Sequence, residues 1–320
     1  MRLVRPSFEI IEQKPRVDGL LQHIERCGRT CYKSEDKITE DSAEKFVKML
    51  VNRGHTAMVE HGTIYLTLGM PDRWAYFKYC TNKYSEAISE GEAEKGTWVG
   101  YVTTNYRVLL QNDWLGDLQY LTEPTKHIRR VTVKFTCDRG VSHEFVRHRV
   151  FSFAQESTRY CNYSKDKFGK ECTFIIPSWL DLPEGHYDLD WDVIDNAGNS
   201  CSYPYPEDAK SVSYWYNDLS KIAYAPIMGE HLESSELRDT YLSALTVCEE
   251  VYFKLLEQGW IAQQARAVLP NSLKTELIMT GTTEQWEGFF KLRDAKDAHP
   301  QARELAQPLH EEFIKRGYIK

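Results

Sequence analysis

Alternating hydrophobic and polar positions predict two strands in the first half of the chain. Residues 64–68 (IYLTL) and residues 130–136 (RVTVKFT) both place apolar side chains at every second position, which is the period of a half-buried strand. The stretch between them, at about 69–127, is aromatic and irregular, and helical pieces are expected at WAYFKYC and NDWLGDLQYL.

Apolar residues at helical spacing predict two helices, one early and one late. The first is expected at about 41–53, capped by Asp41 and ended by Gly54. The second is expected from about Ser234 to Gly259. Its apolar stripe consists of Leu237, Tyr241, Leu245, Cys248, Tyr252 and Leu255.

Two further helices are predicted near the carboxyl terminus. Thr282, followed three residues later by Gln285, forms a capping-box pattern. The helix that begins there has an apolar face made of Trp286, Phe289 and Phe290. The last helix starts at about Pro300, and Pro308 inside it predicts a kink or a break. Because strands come early and helices late, the chain is expected to be a mixed α/β protein.

The composition excludes several classes of protein. The chain has 320 residues with 40 Lys and Arg against 47 Asp and Glu, so its formal net charge is −7. Surplus carboxylates argue against binding to polymeric nucleic acid, and no apolar run approaches the roughly 20 residues of a membrane helix. Eight scattered cysteines without a CxxC pair are typical of reduced thiols. A cytoplasmic protein without membrane contact is expected.

Common metal and nucleotide motifs are absent from the sequence. The segment HTAMVEH, at residues 55–61, differs in spacing from the HExxH zinc pattern, so no metal is expected. The chain also lacks GxGxxG and GxxxxGK[ST] loops, so a nucleotide would not be held in the Rossmann or P-loop manner.

Residues 144–160 (EFVRHRVFSFAQESTRY) are locally cationic in an anionic chain. Ser142 is expected to cap a short helix that carries Glu144 and Arg147, and residues 152–157 are expected to form a loop. Guanidinium forks with hydroxyls and loop N–H groups suit a phosphate dianion. A solvated basic loop is the alternative interpretation.

Two further arginines stand in unusual places. Arg266 lies in the alanine-rich segment QQARAVLP, and Arg293 follows Phe289 by four residues, on the aromatic face of its helix. An arginine on a buried face must find an anion or it costs several kcal/mol. That anion can be a ligand, or it can be a carboxylate in a structural ion pair.

Four motifs in order resemble those of the flavin-dependent thymidylate synthases. RHRVFSFAQES, at residues 147–157, is similar to the family's RHR-x7-S signature, and Arg159 and Tyr160 follow as they usually do. HTAMVEH looks like the family's flavin-side histidine segment. ARAVLP, at residues 265–270, looks like its ARxxLP element, and FFKLRDAKDAHPQARELA looks like its C-terminal helix.

The resemblance implies a fold and an assembly. The expected fold is a β-sheet with flanking helices, in a single domain over residues 1–320 with insertions at about 69–127 and 161–234. The resemblance also implies a homotetramer whose active sites draw residues from several subunits.

The resemblance further implies an activity with its cofactor and substrates. The enzyme would bind FAD and make dTMP from dUMP, taking one carbon from 5,10-methylenetetrahydrofolate and reducing equivalents from NADPH. A flavoenzyme acting on another pyrimidine nucleotide, or making a hydroxymethyl product, is an alternative. A nucleic-acid-binding module that uses the RHR loop is a further one.

Site residues are carried over by position. The implied FAD contacts are His55, Glu60, Arg147, His148, Arg149 and Gln155. The implied dUMP contacts are Glu144, Arg147, Gln155, Glu156, Ser157, Thr158, Arg159, Arg266 and Arg293. Arg293 would be catalytic, since its cation can stabilise negative charge on the uracil ring. The family's Asn-x-Arg reads Thr282-Thr283-Glu284 here, so other residues are expected at the adenine side of FAD.

Overall fold

The computed structural model describes residues 1–187, 192–194, 200–202 and 234–320, and it has a mixed α/β fold, as expected. Its strands are β1 (Arg2–Val4), β2 (Ser7–Ile11), β3 (Thr63–Gly69), β4 (Glu86–Glu90), β5 (Val99–Asn105), β6 (Arg130–Asp138), β7 (Ser152–Gln155), β8 (Thr173–Ile175), β9 (Gly185–His186), β10 (Asp192–Ile194), β11 (Ser200–Ser202) and β12 (Lys274–Thr282). Its α-helices are α1 (Arg16–Thr30), α2 (Ser42–Asn52), α3 (Arg73–Cys80), α4 (Tyr106–Gln111), α5 (Arg139–Phe145), α6 (Ser234–Glu257), α7 (Ala262–Ala265), α8 (Thr283–Arg293) and α9 (Pro300–Lys315). In this described part of the chain, no helix is long and apolar enough to cross a membrane.

The chain divides into two compact units. The smaller unit comprises Met1–Val4 and Asn162–Pro270, and the larger unit comprises Arg5–Cys161 and Asn271–Lys320. The single domain with insertions therefore stays a prediction, and much of the expected insertion at 161–234 falls outside the described residues.

The smaller unit contains a short sheet and the predicted long helix. Strand β1 pairs in parallel with β8 and antiparallel with β9, while β10 and β11 form an antiparallel pair. Helix α6 confirms the predicted stripe at Leu245 and Tyr252, which are buried, whereas Leu237 at its start is exposed. Gly259 has a φ of 94° just after this helix, as its predicted role in ending the helix requires.

The larger unit is built on a four-stranded antiparallel sheet in the order β2-β6-β12-β7. Strand β6 confirms the predicted alternation, because Val131, Val133 and Phe135 are all buried. Its partner β12 runs alongside it for nine residues, with Arg130 opposite Thr282 and Asp138 opposite Lys274.

Helices α5, α8 and α9 pack on the face of the sheet that bears these apolar side chains. The shared core includes Trp286, Phe289 and Phe290, so the predicted face of α8 is confirmed. Helix α9 continues through Pro308, so the predicted break is wrong. Pro308 cannot make the backbone hydrogen bond of a helical residue. Burial of Leu309, the next residue, and of the other core residues of α9 compensates for that loss.

The larger unit also contains a second sheet, in the order β3-β5-β4, whose core is shared with α1, α2 and α3. Strand β3, helix α2 and the helical piece at α3 confirm their predictions. Strands β4 and β5 were not predicted, since residues 69–127 were expected to be irregular. Their side chains include exposed acidic and buried hydroxyl residues that hide the alternation.

Helix α1 was not predicted from the sequence, because the first helix was expected to begin near residue 41. That expectation was wrong. The glycines of α1 weaken the helical signal, yet packing demands them. A Cβ on Gly19 would lie 2.2 Å from the carbonyl oxygen of Lys14, and one on Gly28 would lie 2.8 Å from the ring of Phe46. Close packing therefore overrides intrinsic helix propensity here.

Side-chain caps were predicted for α2 and α8. The cap of α8 is confirmed, and the cap of α2 is wrong. The hydroxyl of Thr282 accepts a hydrogen bond from the N–H of Gln285 (3.3 Å), and the Gln285 side chain accepts one from the N–H of Thr282 (2.9 Å). This is the predicted capping box. Asp41 makes no capping hydrogen bond at the start of α2. Its neighbour Ser42 instead accepts a hydrogen bond from the N–H of Thr39 (2.9 Å).

Replacing Thr282 with Ala is expected to lower the free energy of unfolding by about 1 kcal/mol, because the first turn of α8 loses its acceptor. Asp41→Ala is the matched control, and its expected change is within about 0.5 kcal/mol. Urea unfolding of both variants measures the difference. Equal losses in the two variants would contradict the capping role of Thr282.

Candidate active site

The RHR segment follows a short capped helix. The Asp138 carboxylate accepts a hydrogen bond from the N–H of Val141 (2.6 Å) and so caps α5. The predicted cap, Ser142, is wrong because this residue lies inside the helix, where its hydroxyl donates to the carbonyl oxygen of Arg139 (2.9 Å). The helix carries Glu144, as predicted, but it ends at Phe145, so Arg147 lies just beyond its end and is exposed.

The loop predicted at residues 152–157 is only partly present. Strand β7 occupies its first four residues and pairs with β12, placing Ala154 opposite Ile278. Both of these side chains are buried, and burial of Ala154 against the sheet favours a strand over a loop. Beyond the strand, the N–H of Glu156 still donates to the carbonyl oxygen of Glu276 in β12 (2.8 Å).

Arg293 is held by Glu144, which lies in α5, and by His148, which follows that helix. Its Nη1 lies 2.5 Å from Oε2 of Glu144, its Nη2 donates to the carbonyl oxygen of Glu144 (2.9 Å), and its Nε donates to Nε2 of His148 (3.0 Å). The structure therefore brings Glu144, His148 and Arg293 together. The Arg293 guanidinium therefore pairs with a carboxylate of the protein, as the ion-pair alternative expected.

The protonation of His148 follows from these contacts. Burial, together with the nearby Arg293 guanidinium, lowers the pKa of His148 to about 4. The ring is therefore neutral at pH 7. Because the guanidinium N–H donates to Nε2, the ring proton must reside on Nδ1. His148 thus acts as an acceptor that orients Arg293.

Arg293 keeps hydrogen-bonding capacity for a ligand. A guanidinium has five N–H donors, and three of them serve Glu144 and His148. The side chain is 17% exposed. Arg147 and Arg149 nearby in sequence are exposed, and neither forms a salt bridge with any residue that the structure describes. The exposed guanidinium groups of Arg147 and Arg149, which follow α5, are therefore accessible to an anionic ligand from solvent.

Hydrogen bonds to α5, to β12 and to the residue after α1 hold residues 155–159 in place. Gln155 donates to the hydroxyls of Ser142 (2.8 Å) and Thr275 (3.3 Å). The backbone N–H of Ser157 donates to the carbonyl oxygen of Cys31 (3.1 Å), and its hydroxyl accepts from the N–H of Arg159 (3.4 Å). Thr158 is buried and Arg159 is exposed. Among these predicted nucleotide contacts, Arg159 has the most accessible side chain.

Glu156 belongs to a buried network of charges. Its carboxylate lies 2.8 Å from Nζ of Lys274, which also contacts Glu276 at 3.1 Å. Burial favours protonation of Glu276, but Lys274, Lys33 and Lys134 outweigh it and hold its pKa well below the usual range. The network ties the RHR-x7-S segment to β12. Sequence reasoning missed Lys274, since its partners are distant in the chain.

His55 lies in a small aromatic group. Its Nδ1 and the hydroxyl of Tyr32 are joined by a hydrogen bond of 2.8 Å, and the two rings are stacked with centroids 6.5 Å apart. The Tyr160 ring lies 5.3 Å from that of Tyr32. Both His55 and Tyr160 are exposed, so their rings are available to a planar ligand. No sequence signal identified Tyr32.

The remaining predicted site residues are Glu60 and Arg266. The Glu60 carboxylate pairs with Arg107, and its carbonyl oxygen accepts from Nη1 of Arg130 (3.2 Å). Arg266 is exposed in a short 3-10 helix, Arg266–Val268, of the smaller unit. No group of three or more His, Cys, Asp or Glu side chains that could hold a metal occurs among the residues described.

A buried chain of hydrogen bonds connects His61, the last residue of the HTAMVEH segment, with His23 in α1. The Nδ1 of His61 contacts the Thr280 hydroxyl (2.8 Å), which contacts the Thr132 hydroxyl (2.8 Å), which contacts Nε2 of His23 (3.0 Å). Burial, with help from nearby cations, lowers the pKa of each histidine to about 3. Both imidazoles are therefore neutral and structural.

The free energy of unfolding is expected to fall by about 2 kcal/mol for each of these histidines between pH 8 and pH 5. The unfolded chain binds a proton at each imidazole as the pH falls through about 6.5, whereas the folded chain does not until about 3. The stabilisation is therefore present above about pH 6.5 and is lost as the pH falls.

Urea unfolding at the two pH values tests this expectation. His23→Gln and His61→Asn should each remove about 2 kcal/mol of the pH-dependent loss. His186→Gln, at an exposed position, should leave the loss unchanged. A pH dependence that is the same in all three variants and in the original chain would contradict the assignment.

Comparison with known proteins places these residues in a family context. Residues 121–316 match the family described as Thymidylate synthase complementing protein. The chain is 24% identical to a flavin-dependent thymidylate synthase of Geobacter sulfurreducens over 168 residues, covering 52% of this chain and 49% of that protein. It is also 24% identical to a flavin-dependent thymidylate synthase of Pyrococcus furiosus over 184 residues, covering 58% and 54%. The chain thus spans about half the length of these curated relatives.

A solved structure with a related outline was also found. It is a UMP/dUMP methylase, PolB from Streptomyces cacaoi, bound with 5-Br UMP. The sequence identity is 15% and the TM-score is 0.42, and the match covers 98% of this chain and 92% of that chain.

Proposed function

Because this chain belongs to the family of thymidylate synthase complementing proteins, we propose that it is a flavin-dependent thymidylate synthase that converts dUMP to dTMP. The one-carbon unit would come from 5,10-methylenetetrahydrofolate and the reducing equivalents from NADPH through FAD. The enzyme would act in the cytoplasm as a homotetramer with shared active sites. The observation that carries the proposal is the family match, which includes the RHR-x7-S segment and Arg293.

The contacts of Arg293 support a role at the pyrimidine ring. Glu144 and neutral His148 hold the guanidinium in one orientation, and its two remaining N–H donors can reach a carbonyl edge of uracil. Negative charge develops on that edge as C5 of the ring becomes nucleophilic, before C5 attacks the one-carbon donor. A preoriented cation of low exposure stabilises such charge more than solvent does.

The phosphate of dUMP would be bound by the residues that follow β7. Arg159 is exposed, and the hydroxyl and N–H of Ser157 lie next to it in the same turn. Gln155, Glu156 and Thr158 would shape this pocket rather than donate charge, since the Glu156 carboxylate already pairs with Lys274. Arg147 would add a cation to the nucleotide site, whereas the role of Arg266, in the smaller unit, rests on the family resemblance alone.

The exposed groups around α5 fit FAD. Its diphosphate requires cations, and Arg147 and Arg149 have no salt-bridge partner in the described part of the chain. Its flat rings require an accessible aromatic surface, which His55 and Tyr32 provide. When bound, the flavin supplies the hydride that completes the methyl group. His148 and Glu60 would fix the surrounding side chains, and no nucleophilic cysteine is needed.

The test is the mass of the nucleotide formed without oxygen from dUMP, methylenetetrahydrofolate, FAD and NADPH. A product with the mass of dTMP, formed only when NADPH is present, is expected. A product one oxygen heavier would indicate hydroxymethylation instead. A yellow protein that forms no new nucleotide would retain the flavin assignment and reject dUMP, while a colourless and inactive protein would reject the proposal.

A further inference from the structure

A cavity of about 210 Å³ lies in the larger unit, and none of its lining residues is assigned to flavin or dUMP, although one of them, Arg130, contacts the backbone of Glu60. It forms where the end of β2 and the start of α1 meet β3 and the start of β6. Its charged and aromatic lining includes Glu12, Lys14, Arg16, Tyr65, Arg129 and Arg130.

Arg130 is the central cation of this cavity. Its guanidinium donates only to neutral oxygens, namely the carbonyl oxygen of Glu60 (3.2 Å), the hydroxyl of Thr63 (3.3 Å) and the hydroxyl of Ser152 (3.4 Å). No carboxylate of the described chain forms a salt bridge with it. Burial lowers the pKa of Arg130 to about 10, so it still carries its charge at pH 7. The nearby Glu60 carboxylate, which already pairs with Arg107, favours the charged form and offsets this effect only in part. A shielded charge without a direct ion pair is costly, and an anion in the cavity would reduce that cost.

The rim of the cavity adds three exposed cations. Lys14, Arg16 and Arg129 line it, and none of them has a salt-bridge partner among residues 1–187 or 234–320. The guanidinium of Arg129 lies over the ring of Tyr318, 5.1 Å from its centroid. These side chains are therefore available to a ligand.

The acidic lining residues offset these charges only in part. Glu12 is already engaged, because its carboxylate accepts from the Tyr318 hydroxyl (2.6 Å) and lies 3.2 Å from Nη1 of Arg316. Glu123 is the other acidic lining residue, and it is exposed. Four cations thus face two carboxylates, one of which is neutralised by a residue outside the cavity.

Backbone groups at the start of α1 add to the positive potential. Pro15 and Arg16 line the cavity, and the helix begins there without any side-chain cap. The N–H groups of a first helical turn carry a partial positive charge that favours anions. Arg16 has a φ of 67°, a conformation that costs a non-glycine residue about 1–2 kcal/mol. This cost is consistent with a backbone held at a binding site.

We propose that this cavity binds a small molecule through a phosphate monoester, at a site separate from the Arg293 cluster. Arg130 would form the buried part of the contact, with Lys14 and Arg129 closing over the phosphate from the rim. Three sources share this chemistry: free phosphate, the 5′-phosphate of a mononucleotide such as dTMP, and the 2′-phosphate of NADPH. The inference stands on the cavity itself and does not require the proposed activity.

Calorimetric titration of the full chain tests the proposal with four probes: inorganic phosphate, dTMP, NADPH and NADH. At least one of the phosphate monoesters is expected to bind. Its affinity should fall by tenfold or more in the Lys14→Gln/Arg129→Gln variant, whose two positions are exposed and tolerate substitution. Lys45→Gln/Lys296→Gln removes the same charge from exposed positions outside the cavity, and it should bind as the original chain does.

The probes also distinguish the source of the phosphate. If the site recognises the reductant, the rim variant should weaken NADPH binding and leave NADH binding unchanged, because only NADPH carries the 2′-phosphate. If none of the monoesters binds at millimolar concentration, or if the rim and control variants bind equally well, the proposal is wrong. Binding of dTMP or NADPH at the proposed active site should not change in the rim variant, so only the binding that the rim variant weakens is assigned to the cavity.

Discussion

The Arg293→Ala variant is expected to form dTMP with a kcat about 10²–10³-fold lower than the original chain, while its bound flavin is retained. Removing one preoriented donor of the oxyanion-hole type typically costs about 2.7–4 kcal/mol in the transition state. Arg293 fits this class because Glu144 and His148 hold it in place. Arg293→Lys should lose a similar factor, since an ammonium cannot reproduce the planar fork.

The control must separate catalysis from structure, because the same contacts also form an ion pair. Arg303→Ala removes a partly exposed arginine that contacts Asp294, the residue after Arg293, and it should leave kcat within about threefold. A purely structural Arg293 would instead give a large loss of unfolding free energy with an unchanged kcat for the folded fraction. That pattern would reject the catalytic role.

The elements that could be predicted from the sequence are those with local signals. The capping box at Thr282 and the aromatic face of α8 lie within one helix, and both are confirmed. Strand β6 was predicted from its own alternation. In each case the residues that decide the structure are neighbours in the chain, so the pattern alone contains the information.

The elements that escaped prediction depend on distant contacts. Strand β7 exists because Ala154 pairs with Ile278, far along the chain. Helix α1 tolerates Gly19 and Gly28 because other segments pack directly against them. Competing local signals, such as hydroxyls in a loop-like segment or glycines in a helix, were outweighed by packing that one sequence does not reveal.

The candidate site follows the same rule. The position of Arg293 on an apolar face predicted that it needs an anion, but the sequence could not choose between a ligand and Glu144, which is 149 residues away. The aromatic partner Tyr32 and the network lysine Lys274 carried no motif at all. The cavity at Arg130 was equally invisible, since its lining comes from β2, α1, β3 and β6.

The Phe289→Ala variant is expected to lower the free energy of unfolding by about 3–5 kcal/mol. Phe289 is fully buried, and its ring lies 5.0 Å from that of Phe145 and 5.3 Å from that of Trp286. Removing it leaves a cavity between α8, α5 and the sheet. The neighbouring Leu292 is 61% exposed on the same helix, so Leu292→Ala should change stability by no more than about 0.5 kcal/mol.

The position of Phe289 also links the core to the chemistry. Its ring lies 5.1 Å from the imidazole of His148, and His148 in turn accepts the hydrogen bond from Nε of Arg293. Under conditions where Phe289→Ala is still folded, kcat should therefore fall, whereas Leu292→Ala should keep the original rate. Urea unfolding and anaerobic turnover of the two variants measure both effects. If Phe289→Ala loses stability but keeps the original kcat, then the packing behind His148 does not position Arg293, and the hydrogen bonds that Arg293 donates to Glu144 suffice to orient it.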